Sequence, residues 1–452
     1  MKGCLFGEPM YERVTSALGN RPERISHGEM RKRQQDFCSE LPTDSVAIIT
    51  NNPVSIRSRD THHRHRFNSY LHYLTGWNGE DGVAVFYHNE HEWNCLLYVR
   101  PRDIEKETWT GRRPGVDGAL SGWAIDAAKS RDDISDDLPE ILNSAESIYH
   151  IDSQDHLVDS IVNSSGKELG DPRKILDNMR VIKSEAEIAL MQYAADLAAL
   201  AHIEAMRECN IGMGEWHMQS IIEGCFLYHQ SEWAYPSIVG SGDNATILHY
   251  NENSQEMLDG DVVLIDAGCE IDGYASDITR SFPVNGKFTE SQREIYALVL
   301  KAQIAGIEAC QVGSPWSSMH HATSRVLAQG LIDLGILDCS LEEALGDDYN
   351  GPYRNFFMHG TGHFLGLDVH DVGGGRQGDD EPERILAPGM VVTIEPGLYF
   401  GAWREDIEID SKWAGIGIRI EDDVLISENG PVVLTAKCPK EITEIEALVG
   451  SN

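Results

Sequence analysis

Apolar residues recur at helical spacing early in the second half of the chain, and strand-like runs follow them. Ser184 and Glu187 form a capping box, which predicts a helix that ends near residues 210–212. A second helix is predicted over residues 215–230, and alternation of apolar and polar positions predicts strands over residues 238–282. This segment therefore has the order helix, helix, strands.

The same order of elements then repeats. Thr289 and Gln292 form a second capping box, which opens a helix to about residue 311. Another helix is predicted over residues 317–333, and strand-like runs occupy residues 355–435. The repeat indicates an internal duplication, for which we expect a curved antiparallel sheet backed by helices, with a site between the halves.

The first part of the chain has a different pattern. Short apolar runs, such as residues 46–49 and 82–86, alternate with polar helical stretches such as residues 133–142. This mixture is typical of an α/β domain with its own small sheet. The polar stretch over residues 164–174 is the predicted linker.

A chain of 452 residues is too long for one core, so two domains are expected. The predicted fold class is α+β. An α/β domain over residues 1–178 would precede a second domain over residues 179–452, which contains the duplicated pattern.

The charge of the chain excludes some classes of partner. Acidic residues outnumber basic ones 73 to 37, and the formal net charge is −36. Such a field repels phosphate backbones and anionic lipid surfaces, so neither nucleic acid nor membrane is expected as a partner.

Cysteine usage and hydropathy favour a cytoplasmic protein. The nine cysteines are scattered and contain no CxxC pair, which is typical of a reducing compartment. No apolar run approaches the ~18 residues that span a bilayer, and the first thirty residues are too polar for a signal peptide.

Asp266 ends an apolar run and is followed eleven residues later by Asp277. If Asp272 and Gly273 form the turn of a hairpin, Asp266 lies opposite Thr279, and Asp277 becomes its diagonal neighbour on the same face. Carboxylates so placed repel unless divalent cations lie between them. The alternative is that Asp266 caps a strand and Asp277 is solvated.

Two histidines, His359 and His363, are four residues apart, and His370 follows. The intervening glycines oppose a helix, so the arrangement differs from the helical zinc motif HExxH. In an extended segment His359 and His363 face the same way about 13 Å apart, so both can line a cavity while one binds metal. Structural roles for these histidines stay open at this point.

Glu395 closes an apolar run and precedes Pro396, which must end the strand, so its side chain can project into a cavity. Glu421 and Arg419 share a strand face opposite isoleucines. Plain alternation explains Glu421 as a solvent-facing residue. Arg419 could pair with Glu421 or hold a substrate carboxylate or carbonyl.

Two aspartates, two glutamates and a histidine make an oxygen-rich ligand set, which suits manganese or another hard divalent ion. A bridging carboxylate pair would hold two metals about 3.5–4 Å apart, and hydroxide between them would attack an amide carbonyl. The chain has neither a GxSxG elbow nor a P-loop, so serine and nucleotide chemistry have no local support.

Several short motifs occur in a fixed order along the chain. They are residues 236–242, 247–250, 264–268, 277–280, 359–370, 395–399 and 417–422. In order and spacing they resemble the pita-bread metallopeptidases, and among them most closely the aminopeptidase P (Xaa-Pro aminopeptidase) family. The similarity covers about residues 180–440, and a weaker one over residues 64–77 extends into the N-terminal domain.

The resemblance implies a pita-bread catalytic domain over residues 179–452 that binds two divalent ions, Mn²⁺ being preferred and Zn²⁺ or Co²⁺ also suitable. The implied ligands are Asp266, Asp277, His363, Glu395 and Glu421. Asp277 and Glu421 would bridge the ions, and Glu395 would accept the proton of the attacking water.

The resemblance also implies residues that act on the peptide. His249, His359, His370 and Arg419 match catalytic positions, whereas Asp60, Tyr399 and Trp109 match substrate-binding positions. The expected reaction releases the N-terminal residue from a peptide with proline second, in a homodimer or homotetramer. The N-terminal domain would recognise the substrate amine and support oligomerisation.

Other interpretations share part of this evidence. Prolidase, which accepts only dipeptides, has the same fold and ligands, and hydrolysis of organophosphorus esters is a side activity of relatives. Methionine aminopeptidase is disfavoured because it does not need an N-terminal domain of ~180 residues. An inactive pita-bread binding module is also disfavoured, because such modules generally lack the ligands that are present here.

Overall fold

The structure, a computed structural model, describes residues 9–89, 91–152, 154–376 and 381–451. They form two compact units. The N-terminal unit comprises Ile25–Met179, and the C-terminal unit comprises the residues up to Arg24 and those from Arg180 onward. The first helix, α1 (Met10–Ala17), thus groups with the C-terminal unit, although the sequence division placed it in the N-terminal domain.

A six-stranded mixed sheet organises the N-terminal unit, in the order β6-β5-β4-β1-β7-β8. The strands are β1 (Ser45–Thr50), β2 (Ile56–Ser58), β3 (Thr61–His62), β4 (Val83–His88), β5 (Trp93–Val99), β6 (Ala127–Ser130), β7 (Ser147–His150) and β8 (Glu168–Gly170), with β2 and β3 pairing separately. The helices from this part of the chain are α2 (His27–Ser39), α3 (Ser69–Thr75), α4 (Ile104–Thr110), α5 (Gly115–Gly122), α6 (Ile134–Asn143), α7 (His156–Ser164) and α8 (Arg173–Val181).

The apolar runs predicted to be strands are neighbours in this sheet. β1 pairs antiparallel with β4, where Ile48 lies opposite Val85. Both side chains pack in one core with Ile148 of β7, which runs parallel to β1. The polar helical stretch over residues 133–142 is α6. The α/β character predicted for this part of the chain is confirmed.

The prediction of a linker over residues 164–174 is wrong. Glu168–Gly170 forms the strand β8 at the edge of the sheet, parallel to β7, and α8 begins at Arg173. Two of the three residues of β8 are exposed. An edge strand with exposed side chains has the polar composition of a linker, so composition alone did not separate the two.

The C-terminal unit contains the remaining elements. Its helices after α8 are α9 (Glu185–Glu208), α10 (Glu215–Tyr228), α11 (Glu290–Glu308), α12 (Ser317–Asp333), α13 (Leu341–Leu345) and α14 (Ile442–Leu448). Its strands are β9 (Glu232–Trp233), β10 (Ile238–Ser241), β11 (Val262–Asp266), β12 (Cys269–Ile271), β13 (Tyr274–Ala275), β14 (Thr279–Pro283), β15 (Val391–Ile394), β16 (Gly397–Phe400), β17 (Ile416–Arg419), β18 (Asp422–Ser427) and β19 (Gly430–Val433).

The predicted repeat is present in these elements. Ser184 and Glu187 form the capping box of α9, and Thr289 and Gln292 form that of α11. The pairs α9–α10 and α11–α12 pack together, and antiparallel strands follow each pair. Capping boxes depend only on neighbouring residues, which explains why the sequence located both helix starts.

The two halves meet where β14 approaches the turn between β17 and β18. The main-chain N–H of Glu421 donates to the carbonyl of Thr279 over 3.1 Å. Ser281 Oγ donates to the carbonyl of Arg419 and accepts from its N–H. These hydrogen bonds hold β14 of the first half beside the segment of the second half that contains Glu421.

The described part of the chain has no helix with both the length and the apolar character that crossing a bilayer demands. Each of the eight described cysteines is free. The cytoplasmic location stays a prediction.

Candidate metal centre and its cavity

A cavity of about 740 Å³ in the C-terminal unit contains the chemistry predicted from the sequence. Among the residues that line it are Asp266, Asp277, His363, Glu395 and Glu421, together with His249, His359, His370 and Arg419. The five predicted ligands therefore converge from segments that span more than 150 positions of the chain.

The two aspartates reach the cavity from one hairpin. Asp272 and Gly273 form its two-residue turn, with φ values of 50° and 88°, and Asp266 pairs with Thr279 as predicted. Gly268 lies opposite Asp277, where an added Cβ would be 1.8 Å from the carbonyl oxygen of Ser276. The absence of a side chain lets the two strands approach closely beside the carboxylates.

Tyr235 connects the two carboxylates and was not predicted. Its hydroxyl is hydrogen-bonded to Asp266 Oδ1 at 2.6 Å and also to Asp277 Oδ1. A hydroxyl has one proton and can donate to only one of them, so the other contact requires a proton on the carboxyl side. Tyr235 directly precedes the motif over residues 236–242, but its contact with both aspartates is visible only in the fold.

The orientation of the His363 ring is fixed by a hydrogen bond from its Nδ1. Its Nδ1 donates to the carbonyl of Phe364 over 2.9 Å, which leaves Nε2 directed at Asp277 Oδ2, 3.5 Å away, and Glu395 Oε1, 3.6 Å away. Metal-binding histidines are commonly fixed through their second nitrogen in this way. Ligand atoms of Asp277, His363 and Glu421 all lie within 4.8 Å of one another.

The segment before His363 is non-helical, as the glycines indicated. The main-chain N–H of Thr393 donates to the carbonyl of His363, so the segment lies against β15. A Cβ on Gly362 would be 1.8 Å from the carbonyl oxygen of Thr393. Glycine at this position therefore permits the close approach that places His363 beside Glu395.

The interpretation of Glu421 as a solvent-facing residue is wrong. Glu421 is 2% exposed, and its Oε2 accepts from the hydroxyl of Thr279 over 2.6 Å. The other half of the duplication covers the strand face that alternation assigned to solvent. Strand periodicity tells only that two faces differ, not which of them is covered.

The acidic groups repel one another in the absence of cations. Burial raises the pKa of Asp277, and the Asp266 charge raises it further. Burial also raises the pKa of Glu421 well above its usual range and that of Glu395 to about 7. Divalent ions would replace the protons held here, so the donor set fits a metal centre.

His363 has the opposite perturbation. Burial alone lowers the pKa of His363, but contact with Asp277 and the charge of Glu395 outweigh burial and raise the pKa to about 9. A protonated imidazole here neutralises part of the carboxylate charge. Metal binding requires the neutral ring and would displace that proton.

Arg419 pairs with Asp266 and not with Glu421, which the shared strand face had suggested as its partner. Its Nη2 donates to Asp266 Oδ2 over 2.7 Å, its Nε donates to Thr279 Oγ1, and its Nη1 donates to the hydroxyl of Tyr399 over 3.0 Å. Arg419 is 3% exposed. It therefore fixes Asp266 in the wall of the cavity.

The hydroxyl of Tyr399 connects Arg419 to His359 through hydrogen bonds. Burial lowers the pKa of His359 to about 3, so the ring is neutral at ordinary pH. Its Nδ1 donates to the carbonyl of Gly360, and Nε2 accepts from the Tyr399 hydroxyl over 2.8 Å. A chain of hydrogen bonds thus runs from Arg419 through Tyr399 to His359.

The remaining histidines complete one side of the cavity. The ring of His370 lies edge-on to that of His363, with centroids 4.3 Å apart, and burial lowers the pKa of His370. His249 lines the same cavity beside the apolar residues Ile238 and Leu248. A cavity with imidazoles and apolar side chains suits a substrate that has both polar and apolar parts.

Asp60 and Trp109 belong to the N-terminal unit. Asp60 is exposed in the turn between β2 and β3, and Trp109 lies on α4 with 84% of its surface exposed. Their predicted roles in substrate binding stay predictions.

We expect manganese to stabilise the protein more at about pH 8 than at about pH 5.5. The pKa of Glu395 rises from 4.5 to about 7 on folding. The metal-free folded state thus holds a proton that the unfolded chain has lost, and its stability falls as pH rises through this window. Thermal unfolding with Mn²⁺ and with a chelator, at both pH values, tests this. Equal increments in Tm at the two pH values would contradict it.

Comparison with known proteins gives the family. Residues 189–428 match Metallopeptidase family M24, and residues 30–149 match the aminopeptidase P N-terminal domain. The Xaa-Pro aminopeptidase of Escherichia coli (strain K12) is 41% identical over 441 residues, which cover 94% of this chain and 98% of the relative.

Solved structures agree with the sequence matches. Zn-substituted E. coli aminopeptidase P in complex with product has a TM-score of 0.89 at 41% identity, and the same enzyme with the inhibitor Pro-Leu has a TM-score of 0.88 at 41% identity. Each comparison covers 94% of this chain and 98% of the solved one. The predicted fold class, an N-terminal α/β domain followed by a pita-bread domain, is confirmed. The chain belongs to metallopeptidase family M24, and it combines the M24 region with the N-terminal domain of aminopeptidase P.

Proposed function

We propose that this chain is a dinuclear metal aminopeptidase that releases the N-terminal residue from peptides with proline in the second position. The convergence of Asp266, Asp277, His363, Glu395 and Glu421 in one cavity is the observation on which the proposal rests. Two relatives that are 41% identical are named Xaa-Pro aminopeptidase, which supports the same substrate class for this chain.

The five side chains would hold two divalent ions. Four carboxylates and one imidazole form an oxygen-rich set, for which we propose Mn²⁺ over zinc. Such ions would acidify a water and polarise the scissile carbonyl. The ligand set would be shared between the halves of the C-terminal unit, with Asp277 and Glu421 between the ions.

Glu395 is the proposed acceptor of the proton from the attacking water. Its carboxylate lines the cavity, and burial raises its pKa to about 7 before metal binds. Its Oε1 faces His363 at 3.6 Å and its Oε2 faces His359 at 3.7 Å. Glu395 thus lies between a proposed metal ligand and a proposed substrate contact.

The histidines that line the cavity would bind the peptide around the scissile bond. His249, His359 and His370 are proposed to hold the carbonyl and to serve the leaving proline nitrogen. The hydrogen bond from Tyr399 fixes the ring of His359. The apolar residues Ile238, Leu248 and Val369 line the same cavity and would accept the pyrrolidine ring. We further propose that Asp60 and Trp109 bind substrate and that the active form is a homodimer or homotetramer.

The same five ligands would also support prolidase activity, which is the alternative function, with hydrolysis of organophosphorus esters as a side reaction. The relatives named Xaa-Pro aminopeptidase favour the aminopeptidase over the dipeptidase. An inactive binding module is disfavoured because the five ligand positions are intact and converge.

Turnover of Gly-Pro beside Gly-Pro-Xaa by the manganese-reconstituted protein tests the proposal. We expect hydrolysis of the longer peptide at a kcat/KM at least about tenfold higher, with no turnover of a Gly-Ala-Xaa control, because the proposed enzyme would use contacts to the residue beyond proline that the dipeptide lacks. Cleavage of the dipeptide alone would favour prolidase. No turnover after manganese addition would favour the binding module.

A further inference from the structure

Three consecutive acidic residues lie where the two halves of the C-terminal unit meet, and each has different surroundings. Glu421 lines the cavity. Asp422 accepts from Arg280, and both carboxylate oxygens of Asp423 accept from the main-chain N–H of Asp277, at 3.2 and 3.1 Å. The sequence-based prediction used only the first of the three.

Arg280 is fully buried, and acceptors are present for all five of its N–H donors. Nε donates to the Pro439 carbonyl at 3.0 Å, Nη1 donates to the carbonyls of Thr279 and Glu421 at 3.0 and 2.6 Å, and Nη2 donates to Asp422 Oδ1 and the Cys438 carbonyl at 2.7 and 2.9 Å. Its charge is paired with Asp422 Oδ1, and the other oxygen of Asp422 accepts from Lys440 at 2.6 Å. Only the planar fork of arginine can reach this set of acceptors at once.

These bonds restrain Glu421 at three points. Its carbonyl accepts from Arg280, its N–H donates to the Thr279 carbonyl at 3.1 Å, and its Oε2 accepts from the Thr279 hydroxyl at 2.6 Å. Asp277 is tied to the same junction through Asp423. The Glu421 carboxylate and the main chain of Asp277 are therefore held at one hydrogen-bonded junction.

We propose that Arg280 and Thr279 are positioning residues for the metal centre, which fix Glu421 relative to Asp277. Neither side chain lines the cavity, and both are fully buried, so they act through the ligands and not on the substrate. The inference rests on the proposed function, because it assigns metal binding to these two carboxylates. Residues that orient metal ligands from behind typically change metal affinity by 10–100-fold when replaced.

Replacing Arg280 by lysine tests the proposal. Lysine keeps the charge beside Asp422 but cannot donate to both carbonyls through a fork. We expect the Mn²⁺ concentration at half-maximal activity to rise at least about tenfold and kcat to fall, with KM for the peptide unchanged. Excess manganese should restore part of the activity.

The matched control is Arg33→Lys in the N-terminal unit. Arg33 is 6% exposed, donates to the carbonyl of Tyr73 and pairs with Glu29, so its replacement disturbs a buried arginine of similar kind. We expect this variant to lose thermal stability without a change in manganese dependence. An equal shift in both variants would overturn the proposal, because it would reflect general destabilisation.

Calorimetric titration with Mn²⁺ separates this proposal from the proposed function, because it needs no turnover. If the wild type binds manganese but cleaves no Xaa-Pro peptide, the proposed function fails, and weaker binding by Arg280→Lys still supports the positioning role. Wild-type manganese affinity in Arg280→Lys would overturn that role.

Thr279→Val provides a test if Arg280→Lys does not fold. Valine keeps the volume of threonine and removes the hydroxyl that donates to Glu421. We expect weaker manganese binding together with a lower Tm, because the buried Arg419 Nε also loses its acceptor. Unchanged manganese affinity in Thr279→Val would contradict the proposed positioning of Glu421.

Discussion

Replacing Glu395 by glutamine is expected to lower kcat by about 10³-fold or more, since loss of a general base typically costs 10²–10⁴-fold and a metal ligand is weakened as well. Glutamine has nearly the shape of glutamate but cannot accept the proton at pH 7. The cavity should stay intact, because the Glu395 main-chain N–H still donates to the carbonyl of Thr361. Steady-state kinetics with saturating Mn²⁺ and circular dichroism would measure both effects.

The matched control for this variant is Glu444→Gln, an exposed position on α14 in the same unit. It should keep wild-type kcat and KM. Turnover of Glu395→Gln within about tenfold of the control would exclude Glu395 as the proton acceptor.

Replacing Asp277 by asparagine is expected to abolish turnover and to change stability in opposite directions with and without metal. Asp277 is 4% exposed, and burial together with Asp266 raises its pKa, so its charge destabilises the metal-free fold near neutral pH. Without the charge, the metal-free Tm should rise above that of the wild type. The increase in Tm on adding Mn²⁺ should nearly vanish, because a ligand proposed to contact both ions is weakened.

Thermal unfolding of this variant with Mn²⁺ and with chelator measures both changes. Asp333→Asn, at an exposed position on α12, is the control and should respond to manganese like the wild type. A manganese response in Asp277→Asn equal to that of the control would remove Asp277 from the metal centre.

Features that depend on neighbouring residues could be predicted from the sequence. The capping boxes at Ser184 and Thr289 located the starts of α9 and α11. The turn at Asp272 set the register that pairs Asp266 with Thr279. β15 ends at Ile394, and Glu395 and Pro396 follow it, as expected because proline cannot donate to a strand ladder.

Features that depend on contacts between distant segments could not be predicted. The alternation of polar and apolar residues predicted that Glu421 faces solvent. Glu421 is in fact buried, because the other half of the duplication covers it, and no neighbouring residue in the sequence indicates this contact. The contact of Tyr235 with both aspartates, and the buried Arg280 with its five acceptors, likewise follow from tertiary packing. The five proposed ligands could nevertheless be named from the sequence, because their motifs resemble those of a known family.

Anomalous diffraction from crystals grown with Mn²⁺ would show whether these five side chains bind a pair of ions. We expect two peaks about 3.5–4 Å apart, enclosed by Asp266, Asp277, His363, Glu395 and Glu421. The absence of manganese from this cavity, or binding that leaves Asp277 and Glu421 without contact to either ion, would contradict this expectation.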